Sequence, residues 1–96
     1  MSFEFHPEAE IKFNEAIDYY EKIEAGLGYD FAIEVYDTIQ RSVSFPKAWS
    51  VIGGDIRRSL VKRFPFGVLY SEENNGIYIV AVMHLHRFPD YWKQRK

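Results

Sequence analysis

The chain contains no cysteine. That absence removes a disulfide framework, a thiol nucleophile and a cysteine-ligated zinc site together. Long apolar stretches are missing as well. The longest runs, such as Ile77 to Leu85, fall far short of the roughly 20 residues a membrane helix needs. The opening segment, MSFEFHPEAE, carries acids where a secretory leader would carry lysines and then an apolar block. A soluble, cytoplasmic protein is therefore expected. No glycine-rich phosphate loop is present, because Gly26-Leu27-Gly28 follows a helical pattern instead of opening a helix after a strand. Ser59 has no G-x-S-x-G elbow around it. Net charge is small too: 12 basic and 14 acidic residues leave −2.

What the sequence does hold is core-forming material. Of its 96 residues, 47% are hydrophobic and 18% aromatic, too many for a disordered segment. A chain of this size buries roughly two-thirds of its unfolded surface, so residues 1–96 are read as one domain. The small net charge conceals a split. Residues 1–50 carry ten acids and four bases, and residues 51–96 carry eight bases and four acids. This predicts an acidic layer and a basic working surface.

The hydrophobic period changes at the same place. Phe3 and Phe5 alternate with polar neighbours as a short strand, which Pro7 ends. Ala9, Phe13, Ala16, Ile17, Tyr20 and Ile23 recur at three- and four-residue spacing, predicting a helix over 7–25. Gly26-Leu27-Gly28 breaks it. A second helix over 29–44 presents Phe31, Val35, Ile39 and Val43, and the short link folds the two into an antiparallel hairpin. Phe45-Pro46 stops this helix and starts a loop to Asp55, anchored by Trp49. Three strands follow, over 56–64, 66–72 and 77–86, with Asn75-Gly76 as the hairpin signal between the last two. The tail from Arg87 opens with Phe88-Pro89-Asp90 and continues as a helical turn or a loose end. The expected fold is α+β, in the order β-α-α-β-β-β, with a helical hairpin packed on one face of a mostly antiparallel sheet.

Candidate chemistry sits on the strands. Arg58 and Lys62 fall on one side by alternation, and Arg57 and Arg63 on the other. His84 and His86 share a face of the last strand, with Arg87 just beyond and Tyr91 in the tail. If the helices cover one face of the sheet, the other can collect Arg58, Lys62, His84 and His86 as a surface for phosphates or carboxylates. The competing explanation is that Arg and Lys guard strand edges and the histidines merely face solvent. His84-Leu85-His86 lacks a third ligand for a metal, so neither a metal nor a cofactor is expected. Phe13, Tyr20, Phe31 and Tyr36 are read as core rather than as a ligand cage.

Seven segments, in order, carry a further likeness. They are Phe-His-Pro-Glu-Ala-Glu (5–10), Glu-Ala-Ile-Asp-Tyr-Tyr-Glu-Lys-Ile (15–23), Gly-Leu-Gly-Tyr-Asp-Phe (26–31), Phe-Pro-Lys-Ala-Trp (45–49), Ile-Arg-Arg (56–58), Lys-Arg-Phe-Pro-Phe (62–66) and Arg-Phe-Pro-Asp-Tyr-Trp (87–92). Together they resemble the RelE/ParE toxin superfamily of type II toxin–antitoxin systems, whose members are often labelled plasmid stabilisation proteins. The resemblance implies a growth-inhibiting toxin with a cognate antitoxin as partner. RelE-type members are ribosome-dependent endonucleases of mRNA; ParE-type members poison DNA gyrase. Carried over, Arg58 and Lys62 match the basic strand positions, and His86 and Arg87 match the end of the last strand. His86 and Arg87 would be the catalytic pair in a ribonuclease. Arg58, Lys62, His84, Arg87 and Tyr91 would form the target-binding surface of a ParE-like protein. The departure is Gly67, where cleaving members commonly place an arginine against the scissile phosphate. The chain is therefore expected nearer the ParE-like branch and to act by binding. The alternatives are the RelE-type nuclease and a non-toxic, stand-alone binding module.

Overall fold

The computed structural model describes residues 2–86. Seven elements run in the order β1 (Ser2–Phe5), α1 (Pro7–Ile23), α2 (Leu27–Ser44), β2 (Val51–Gly53), β3 (Ile56–Leu60), β4 (Phe66–Glu73) and β5 (Gly76–His84). The strands form one mixed sheet ordered β1-β5-β4-β3-β2. Only the β1–β5 pair is parallel; the other neighbours are antiparallel. This is the expected α+β fold, a helical hairpin on a mostly antiparallel sheet, with one strand more than the periodicity suggested. No described helix is long and apolar enough to cross a membrane.

The additional strand, β2, lies within the segment expected to be loop. Three residues are too few to display a two-residue period, so no pattern betrays it. It is held from β3: Arg57 donates to the carbonyls of Trp49 at 2.7 Å and Lys47 at 3.3 Å, and the Arg58 amide donates to Ser50 O at 3.0 Å. Tyr70 pins the same segment by donating its hydroxyl to Pro46 O at 2.7 Å. Strand β3 stops at Leu60, four residues earlier than expected. There Arg63 takes a left-handed φ of 71°, which a continuing strand does not allow.

Both helices end where local chemistry dictates. His6 caps α1, its Nδ1 accepting from the Glu8 amide at 3.1 Å, with Pro7 in the first turn. At the corner, Glu21 accepts from the amides of Gly26 (2.9 Å) and Gly28 (3.0 Å), satisfying donors that open α2. Gly26 sits at φ 90°, which suits glycine.

The main core lies between helices and sheet. Phe31, fully buried, meets Phe13, Tyr20, Phe64 and Phe66, with ring centroids 4.8–6.0 Å apart. Val35, Ile39, Val68 and Ile79 complete it. A smaller cluster on the opposite sheet face contains Ile56, Leu69, Val80, Ala81 and Met83. Of the expected core aromatics, Phe13 and Phe31 are buried, whereas Tyr36 is exposed and Tyr20 lies at the margin.

Candidate functional site

The sheet has two faces with different chemistry, and the ladder decides which residue goes to which. Arg57 pairs with Tyr70 on the helix side, while Arg58 pairs with Leu69 on the outer side. Arg58 therefore faces away from the helices, as alternation requires. Lys62 is exposed beyond the end of β3. Arg63 points the other way, where it reaches Glu34 at 3.5 Å and Asp30 at 3.8 Å on α2.

The histidines are not where alternation put them. In the β4–β5 ladder Leu69 pairs with Ala81 and Tyr70 with Ile79, so Val80 is an inserted residue. A bulge of this kind reverses the facing of everything beyond it. Ile79 packs toward the helices, Val80 and Ala81 both join the outer cluster, and Val82 returns to the helix side. His84 consequently lies opposite Phe66 on the helix side, with ring centroids 5.3 Å apart. The expected surface of Arg58, Lys62, His84 and His86 is thus not assembled: the sheet stands between Arg58 and His84. Arg87 and Tyr91 lie outside the described residues.

His84 instead enters a groove of about 600 Å³ between α1 and the end of β5. Its floor is apolar, from Ala16, Phe66 and Val82, and α1 supplies Tyr19, Tyr20 and Ile23 along one wall. Lys12 and Glu15 stand at its edge, 3.6 Å apart as an exposed ion pair. His86 lines the same groove, its ring centroid 5.4 Å from that of His84. The His86 amide donates to His84 Nδ1 at 3.1 Å, so the neutral His84 ring carries its proton on Nε2. Burial, with Tyr19 beside it, raises the Tyr20 pKa above its usual value and keeps its hydroxyl a donor. Tyr19 and Ile23 are 62% and 59% exposed, more apolar surface than α1 needs to bind its own sheet.

Among solved structures, one chain of a structure described as the chromosomal ParDE TA system from P. aeruginosa matches with a TM-score of 0.76. The match covers 90% of this chain and 97% of that one, at 14% sequence identity. This chain has that fold. The resemblance read from the sequence therefore holds at the level of architecture. No family model matches the chain, and neither does any curated protein. The groove beside α1 is the feature that sequence reasoning missed in this ParDE-like fold. Its only signal was the width of the apolar stripe on α1, where Tyr19 and Ile23 extend past the face that the core uses.

Proposed function

We propose that the protein is the toxin of a type II toxin–antitoxin pair, acting in the cytoplasm by binding a target such as DNA gyrase and neutralised by a cognate antitoxin. The shared ParDE fold supports the general reading. The observation that favours binding over cleavage is the division made by the Val80 bulge. A ribonuclease must bring a proton-moving imidazole and a phosphate-holding cation to the same phosphodiester. In this protein His84 and His86 line the groove on the helix side, where the cation at the edge, Lys12, is paired with Glu15, while Arg58 stands on the outer face. Gly67, in the position where cleaving relatives commonly carry an arginine, points outward with Arg58. The α1 groove suits an antitoxin segment, because an apolar floor with exposed aromatic walls takes the apolar face of a helix or the side chains of a strand.

The deciding experiment induces the chain alone in bacteria and compares chromosome supercoiling and SOS induction with message cleavage. The reading requires growth arrest with altered supercoiling and intact messages. Arg58→Ala combined with Lys62→Ala should abolish the arrest and leave circular dichroism unchanged, since neither side chain enters the core. His86→Gln should change toxicity only slightly. A loss of 100-fold or more in His86→Gln, within the ~100- to 10,000-fold range of general acid–base help, would restore the nuclease reading.

A further inference from the structure

Four arginines fall within the described residues, and three of them are committed to the protein itself. Arg41 donates to Thr38 Oγ1 at 3.1 Å, Arg57 holds the Lys47 and Trp49 carbonyls, and Arg63 meets Asp30 and Glu34. Arg58 differs. Its side chain meets no acid within ion-pair distance among the described residues, yet it is not loose. Its Cγ and Cδ lie 3.1 and 3.3 Å from where a Cβ on Gly67 would stand, and Leu85 Cδ2 lies 3.4 Å from the same point. The Arg58 stem therefore crosses from β3 over the bare backbone of β4, in a lane that any side chain at residue 67 would crowd. Gly67 has no left-handed φ, so the turn chemistry that usually explains a glycine does not apply to it. Leu60, cross-strand partner of Gly67 and 54% exposed, flanks the same lane.

We propose that Gly67 is a positioning residue for Arg58, and that the two make a recognition element for a carboxylate on an acidic segment of the target protein, flanked by apolar contacts to Leu60 and Leu85. This rests on the reading that the outer face meets a protein target. A guanidinium held by its stem loses little further freedom on binding, and its planar fork matches a carboxylate with two parallel hydrogen bonds. Nucleic acid is the poorer fit. Binding to it grows with the number of phosphates neutralised, and a chain of net charge −2 in which the third exposed base beside β3, Arg63, is already paired with the α2 carboxylates offers few.

The test uses the intact chain and two labelled peptides, one alternating leucine with glutamate and one alternating leucine with glutamine, with a single-stranded RNA decamer as a third probe. The glutamate peptide should bind about tenfold more tightly than the glutamine peptide, the scale of a charged hydrogen-bonded contact. Arg58→Ala should erase that preference, and Arg58→Lys should restore only part of it. Gly67→Ala should reduce the preference several-fold with no drop in thermal midpoint, because alanine in a strand is not intrinsically worse than glycine. In the Arg58→Ala background, Gly67→Ala should then have no further effect. Equal affinity for both peptides, tighter binding of the RNA, or independent effects of the two substitutions would each overturn the proposal. Growth arrest on induction is measured separately, so loss of the toxin reading would show there and not in the peptide preference.

Discussion

Tyr70 shows how one side chain can be both core and fastener. It is fully buried among the helix-facing residues, yet its hydroxyl reaches Pro46 O at 2.7 Å and ties the segment before β2 to the sheet. Burial pushes its pKa up to about 12, against a smaller opposing effect of Arg57. A tyrosine raised in this way binds its proton more tightly when folded than when unfolded. Its contribution is therefore complete below the ordinary tyrosine range near pH ~10 and is lost as pH rises through about 12. Urea titrations between those values should show stability falling with pH. Tyr70→Phe should cost about 1 kcal/mol at neutral pH and flatten that alkaline decline. An unaltered decline in the variant would assign it to other groups.

Among the elements, the helices were legible because their apolar stripe is repeated several times, and repetition tolerates a stray residue. The strands were less so, since one inserted residue inverts everything after it. Nothing in Ile-Tyr-Ile-Val-Ala-Val-Met-His marks Val80 as the insertion, because the run is apolar on both faces and either parity satisfies it. The same ambiguity misplaced His84 while leaving Arg58, on a strand with a clear period, correctly outward. Gly76 was legible for the wrong reason. The two residues of the turn are Asn74 and Asn75, with Asn75 at φ 63°, and Gly76 already pairs with Glu73 as the first residue of β5. A Cβ there would collide with the backbone of Ser2. Gly76→Ala should consequently loosen β1, with hydrogen exchange quickening at Phe3 to Phe5 while β3 and β4 stay protected. Equal quickening in all the strands would contradict this account. At the helical corner, Glu21→Ala should destabilise by about 1–2 kcal/mol in urea, because two helix-opening amides lose their acceptor. Glu21→Gln, which keeps one acceptor oxygen, should cost less.

For the molecule as a whole, the predicted division into an acidic layer and a basic surface is seen only in part among the described residues, since Arg87, Lys93, Arg95 and Lys96 lie outside them. The helices are acidic, but two of the four basic side chains from β3 to Arg63 are tied to carbonyls and α2 carboxylates. Among the described residues of β3 and its end, what remains unpaired outward is Arg58 and Lys62, which suits the proposed recognition of one carboxylate contact better than of a polyanion. On the proposed reading, the exposed aromatic wall of α1 is covered by the antitoxin. Co-expression with the product of the neighbouring reading frame should raise the thermal midpoint and the soluble yield. Equal yield and midpoint with and without it would count against a cognate antitoxin. The order of the sheet also bears on how the chain is made. Among the described strands, β1 comes first and pairs only with β5, which comes last, and β4 lies on the other side of β5. Until residues 76–84 have emerged, neither β1 nor the inner edge of β4 can close, whatever the helices have already formed. Such long-range closure is slow. The nascent chain is thus held without its finished sheet until β5 has been made, an interval in which a binding partner already present can reach it first.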